Sequence, residues 1–168
     1  YSLMMKAIKN NIEIRNMRKA HIKDGIAMVK FLYYVKTTKD KMTELSLGDK
    51  LIEFRSQNKT FIEPSFESIV GYKEHGAIVH YSASEESNAN IGSDTFLLVD
   101  SGGQYLEGTT DITRTIALGK VTREMKKHFT LALKGHLALY DVKFLKGTSG
   151  ASLDMLVRKP LWDNGLNY

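Results

Sequence analysis

Apolar and small residues recur at helical spacing early in the chain, at Ile14, Met17, His21, Gly25, Met28, Leu32 and Val35, with Lys, Arg and Asp between them. This pattern predicts a helix over about 12–36, after a lead-in over 1–11. Gly25 weakens such a helix by about 1 kcal/mol relative to Ala, which points to packing that needs a small residue. His21 and Lys23 read as surface or packing residues. After the polar link TTKDK, Thr43 is placed to cap a second helix whose face is Leu47, Leu51, Phe54 and Asn58. Glu44 falls at the positive end of that helix dipole. Pro64 and two glycines break EPSFESIVGYKEHGAIVHYS into short strands, expected near 66–70 and 77–81. SASEESNANIGSD is a polar loop.

The pattern then tightens. Phe96, Leu97, Leu98 and Val99 form an apolar run that ends in Asp100; a Gly-bearing link and a Thr/Ile-rich run carrying Asp111 follow. Two such runs predict an antiparallel pair of strands. With a turn near 105–108, the acids, eleven residues apart, lie roughly across from each other. Carboxylates at the end of a buried strand are costly and repel one another, and a bound dication relieves both problems. One carboxylate can chelate one metal while the other bridges two, as in a two-metal hydrolytic site. Equally, the two acids can cap a turn or pair with Arg114. The expectation is that the carboxylates lie within a few ångströms of each other and face a cleft.

Gly119 ends the strand, and Thr122 caps a third helix on which Met125, Phe129, Leu133, His136, Leu137 and Tyr140 repeat. After KGTSG, Leu153, Leu156 and Val157 open a fourth, which Pro160 is expected to kink or end. The order is helix, helix, strands, helix, helix, an α/β (α+β) arrangement.

Composition narrows the class. Hydrophobic residues make up 42% of the 168 and there are 2 prolines, which indicates a globular chain. Cysteine is absent, so neither disulfides nor thiolate metal sites arise. The net charge of +5 is spread along the chain, so no nucleic-acid partner is expected. No run reaches membrane-span length and no leader pattern is present, so no membrane association is expected. Tyr1 at the start and the abrupt stop at Tyr168 suggest a piece of a longer protein.

DSGGQYLEGTTDITRT, with IVHYS upstream and KHFTLALKGHLAL and LWDNGL downstream, resembles the aminopeptidase P (Xaa-Pro aminopeptidase) family of metallopeptidases. The resemblance runs over essentially the whole chain and is closest to the larger, three-domain, cytosol-type members. It implies a pita-bread fold. Residues 1–168 would be the N-terminal portion of one catalytic domain, namely its first half plus the two helices opening the second. It implies that Asp100 chelates one metal and Asp111 bridges two divalent ions, most often manganese, with zinc or cobalt as alternatives. It also implies that a bridging water becomes the hydroxide nucleophile. His80 matches an active-site histidine that is not a metal ligand and acts by hydrogen bonding and proton handling. Thr113, two residues past Asp111, falls on the same strand face and is a candidate to hydrogen-bond a ligand oxygen. The implied substrate is a peptide with proline in second position and the implied location cytoplasmic; a homodimer is expected to cover the sheet edge and apolar surface that missing strands would leave open.

One departure is an absence. The family site uses two Asp, one His and two Glu, and the His, in a Gly-His-Gly segment, and both Glu are expected beyond 168. The parent protein is therefore expected to be an aminopeptidase, and this chain alone inactive. The alternatives are a pita-bread module that lost its metals and serves as an interaction or chaperone surface, and a metal-free hydrolase of the creatinase kind. Retention of Asp100 and Asp111, with His80, weighs against the first, and the same two acids weigh against the second. His75, in a charged turn, is expected to be exposed. His128, His136, Asp154 and Asp163 read as surface or capping residues.

Overall fold

α2 (Asn11–Thr37) begins where Asn10 accepts the backbone N–H groups of Ile12 and Glu13 while Glu13 reaches back to the Asn10 N–H, a reciprocal capping box. The computed structural model describes residues 2–168. A short α1 (Ser2–Ala7) precedes α2, and α3 (Glu44–Ser56) follows it, capped by Thr43 through the Ser46 N–H. The strands are β1 (Phe61–Pro64), β2 (Ile69–Tyr72), β3 (Thr95–Ser101), β4 (Gly103–Tyr105), β5 (Gly108–Thr109) and β6 (Ile112–Leu118). They form two antiparallel sheets, ordered β2-β3-β6 and β1-β4-β5.

The chain divides into two compact units, Tyr1–Lys120 and Val121–Tyr168. In the first, Met28, Phe31 and Val35 of α2 and Leu47 and Leu51 of α3 pack with Val70, Tyr72, Leu97, Val99, Ile116 and Leu118 of β2-β3-β6. Along β3 the alternation buries Thr95, Leu97, Val99 and Ser101 and turns Phe96, Leu98 and Asp100 to the other face. Each fully buried Leu or Phe contributes about 1.5–3 kcal/mol relative to exposure.

The buried stripe of α2 is rotated from the expected one. It comprises Ala20, Asp24, Ala27, Met28, Phe31 and Val35, while Ile14 and His21 are exposed. A charge, Asp24, sits in the core stripe because Arg55 of α3 neutralises it, and apolar periodicity is blind to that pair.

Two strand expectations are corrected. β2 covers Ile69–Tyr72 rather than 66–70, and 77–81 is not a strand. Lys73, at φ 51°, ends β2, and a 3-10 turn over Lys73–Ala77 folds back on it. Gly71 and Gly76 make this possible: a Cβ on Gly71 would lie 2.8 Å from the Gly76 Cα.

The second unit pairs α4 (Arg123–Asp141), capped by Thr122, with α5 (Gly150–Trp162), capped by Ser149. The helices approach where a Cβ on Gly135 would meet the Val157 carbonyl oxygen at 2.2 Å. This close approach buries Leu131 and Gly135, whereas Phe129, Leu133, Leu137 and Tyr140 of the expected face are exposed. Pro160 does not end α5, which runs on to Trp162. The proline falls in the last turn, and Gly165, at φ 67°, completes the C-terminal cap as the Leu166 N–H reaches the Leu161 carbonyl.

Candidate metal centre

The ladder between β3 and β6 places Asp100 opposite Thr113 and Ser101 opposite Ile112. The same register continues in the tip of the hairpin, where Gln104 faces Thr109 and Tyr105 faces Gly108 around a turn at Leu106 and Glu107. Asp111 therefore stands opposite Gly102, diagonal to Asp100 and on the same face, two residues from Thr113. The expected opposition of the acids is thus a diagonal one, and Thr113 holds the place directly across.

Local contacts fix this corner. The Thr110 hydroxyl accepts from the Gly103 N–H at 2.9 Å, and the Thr110 carbonyl accepts from the Ser65 hydroxyl at 2.9 Å. A Cβ on Gly102 would lie 2.0 Å from that carbonyl, so the turn into the second sheet needs glycine there. The Thr113 hydroxyl donates to Asp100 Oδ1 at 2.8 Å. The Asp111 carboxyl is pushed above the usual aspartate range, first by burial, then by the Asp100 charge and a hydrogen bond shared with Asp100. The two carboxyl groups are thus brought together. The face is more open than a cleft: Asp100 is half-buried, and Asp111 and Thr113 are exposed.

His80 is not at the end of a strand. It follows the 3-10 turn in a left-handed conformation, φ 54°, with its side chain exposed. A non-glycine residue there costs about 1–3 kcal/mol unless its surroundings impose it. The turn lies over the sheet face that bears Asp100: a Cβ on Gly76 would touch Leu98 Cβ at 3.4 Å, and Leu98 shares its face with Asp100.

Two buried polar clusters in this unit lie outside the site residues expected from the sequence. Glu44, 1% exposed, accepts from the Tyr72 N–H (2.8 Å), His75 Nδ1 (2.8 Å), the Tyr81 hydroxyl (2.9 Å) and the Ala89 N–H (3.0 Å). Burial raises its pKa, but these four donors together outweigh burial and hold it below the usual range. His75, expected to be exposed, is half-buried, bound to Glu44 and stacked on Tyr81 with ring centroids 4.5 Å apart. Asp24 and Arg55 form a second cluster with Ser101 and Tyr105. The signal for the second was available: a charge at a core-phase position on each of two helices. Glu44 gave none, because its donors lie 28 to 45 residues away.

The remaining candidates stay on the surface. His128 and His136 are exposed, Asp154 pairs with Arg158, and Asp163 pairs with Lys159. Among the described residues no group of three or more His, Cys, Asp or Glu gathers as a metal cage. No helix among the described residues is long and apolar enough to cross a membrane.

Residues 15–168 match the model of metallopeptidase family M24. The chain belongs to this family. Aminopeptidase P1 of Lotus japonicus is 40% identical over 98% of the chain, and a probable Xaa-Pro aminopeptidase P of Sordaria macrospora is 42% identical over 97%. The chain spans 29% and 27% of the length of those relatives. Among solved structures, an X-prolyl aminopeptidase from Caenorhabditis elegans, described as a cytosolic enzyme with a di-nuclear active site, superposes with a TM-score of 0.86 at 38% identity. It covers 98% of this chain and 28% of its own. An Xaa-Pro dipeptidase from Bacillus anthracis superposes with a TM-score of 0.77 at 27% identity, covering 94% of this chain and 42% of its own. The fold is that of pita-bread aminopeptidases and prolidases, matched in part.

Proposed function

We propose that this chain supplies the first portion of a pita-bread catalytic domain in a dinuclear metallo-aminopeptidase. The protein would cleave the bond between an N-terminal residue and a following proline. The observation that carries the reading is the shared face of Asp100 and Asp111, where burial first, and repulsion from the Asp100 charge second, push the Asp111 carboxyl up. Two carboxyl groups so placed fit divalent cations, which relieve that repulsion. Asp100 and Asp111 are the residues that would hold them, with manganese the favoured ion and zinc or cobalt alternatives. Two bound cations would supply Lewis acidity, making water a stronger acid and polarising the scissile carbonyl.

The protein's own groups have distinct tasks. Thr113 orients Asp100 by donating to Oδ1, leaving the rest of the carboxylate free to bind. His80, exposed just after the turn that packs on that sheet face, would hydrogen-bond the substrate and handle a proton without binding metal. The cytosolic relative favours a cytoplasmic location. A homodimer is the proposed assembly.

The test uses the full-length protein with Mn²⁺ and an Xaa-Pro peptide. Wild type turns the peptide over, and Asp100→Asn and Asp111→Asn lose both metal and turnover. His80→Ala keeps its metal and loses roughly 10²–10⁴-fold in kcat, the usual weight of a general acid–base group. The chain ending at Tyr168, with two carboxylates and no larger cage among its described residues, binds metal weakly and is inactive. Full-length protein that neither loads metal nor cleaves the peptide would instead indicate an interaction module of the same fold.

A further inference from the structure

Glu44 gathers its donors from one continuous stretch that returns to it repeatedly: Tyr72 at the end of β2, His75 in the 3-10 turn, Tyr81 after it and Ala89 in the following loop. His80 is bracketed by two of them. Tyr81, its immediate neighbour, is 7% exposed and tied down by its hydroxyl, whereas Ile78, Val79 and His80 project outward. The His75 ring stacked on Tyr81 and the Tyr81 N–H bonded to the Ile78 carbonyl at 3.2 Å close the turn from inside. The left-handed backbone at His80 is thus held from below, by a buried carboxylate that gathers four donors around it.

We propose that Glu44 is a positioning residue for His80: its carboxylate clamps residues 72–89 so that His80 is presented at a fixed height and angle over the Asp100 face. The proposal rests on the role given to His80 above. Glu44 contacts neither substrate nor metal in this assignment and acts only through Tyr81 and His75. Its replacement shifts kcat and leaves metal content alone, because Asp100 and Asp111 are anchored separately, through Thr113, Thr110 and Ser65.

The experiment compares full-length wild type, Glu44→Gln, Tyr81→Phe, His80→Ala and the Glu44→Gln/His80→Ala double variant. Measured quantities are kcat and KM on an Xaa-Pro peptide, bound manganese, and amide hydrogen exchange peptide by peptide. Glu44→Gln is expected to lower kcat at least tenfold with KM within twofold and metal unchanged, and to add less than twofold in the His80→Ala background. Exchange is expected to quicken within 73–81 and to hold steady in α3 and β3. Tyr81→Phe keeps the ring stack, removes one donor, and is expected to give a smaller loss in the same pattern; it carries the test where Glu44→Gln does not fold. Losses that multiply in the double variant, exchange that quickens across the whole unit, or wild-type kcat in both Glu44→Gln and Tyr81→Phe overturn the proposal. If wild type shows no turnover but exchange loosens locally in 73–81, the clamp stands and the peptidase reading falls.

Discussion

Thr113 faces Asp100 across the β3–β6 ladder, and its hydroxyl donates to Asp100 Oδ1 at 2.8 Å. A threonine directly opposite a carboxylate fixes that carboxylate's rotamer without adding charge. Thr113→Val keeps the shape and β-branching of the strand residue but removes the donor. The expected result is a roughly 10–100-fold loss of metal affinity in the full-length protein, the usual weight of a partner that orients a ligand. Calorimetric titration with Mn²⁺ checks it, and Thr113→Ser, which restores the hydroxyl, should recover most of the loss.

Asp111 carries a cost in the metal-free protein. Its pKa is raised on folding, so the folded state binds protons more tightly than the unfolded chain. Stability therefore falls as pH rises from the ordinary aspartate value through the raised one. Asp111→Asn removes that dependence. In full-length protein held in chelator, the variant's urea midpoint at pH 7 should equal or exceed the parent's, and the difference should vanish near pH 3. Added Mn²⁺ should reverse the order, raising the parent's midpoint and leaving the variant's unmoved.

Glu44 behaves in the opposite sense. Its pKa is lowered on folding, because four donors outweigh the burial that would raise it. The stability it gives is fully present above the ordinary glutamate value and is lost as pH falls through the lowered one. Glu44→Gln should flatten the acid limb below about pH 4.5, near the unfolded glutamate value. At pH 7 it should cost roughly 1–3 kcal/mol, the penalty of mismatched buried donors. Urea unfolding at pH 7 and at pH 4 separates the two effects.

The sequence shows the parts of this unit whose rules are local. Thr43 starts its helix, and the apolar run from Phe96 to Val99 marks β3. The shared face of Asp100 and Asp111 is legible because a strand, a short turn and a strand fix which face a residue takes. The path around His80 was not legible: four apolar and aromatic residues at 77–81 read as a strand, and only the contact of Gly71 with Gly76 shows that the chain turns back instead. The stripe on α2 was misplaced for a related reason. Asp24 belongs in the core only if Arg55, 31 residues later, arrives beside it. In α4 the deciding contact is Gly135 against the Val157 backbone, which side-chain hydrophobicity does not register.

The Asp24–Arg55 pair, 0% exposed on both sides, ties α2 and α3 to the end of β3 that carries the candidate centre. Arg55 Nε donates to Asp24 Oδ1 at 2.6 Å and Nη2 to Ser101, the neighbour of Asp100, at 3.1 Å. Tyr105 donates to Asp24 at 2.8 Å, while Arg55 Nη1 is buried without a partner. Arg55→Met alone leaves Asp24 charged in a dry site and should cost roughly 3–5 kcal/mol. Asp24→Leu alone strands the guanidinium and should cost a similar amount. The double variant removes both charges and the unpartnered donor, so it should recover more than half of the summed losses. What remains is the acceptor lost by Tyr105 and the donor lost by Ser101, roughly 1–3 kcal/mol each. Urea unfolding of the four proteins, parent included, gives the coupling directly. If the double variant is as unstable as the sum of the singles, the two side chains stabilise the fold separately, through packing, and not as an ion pair.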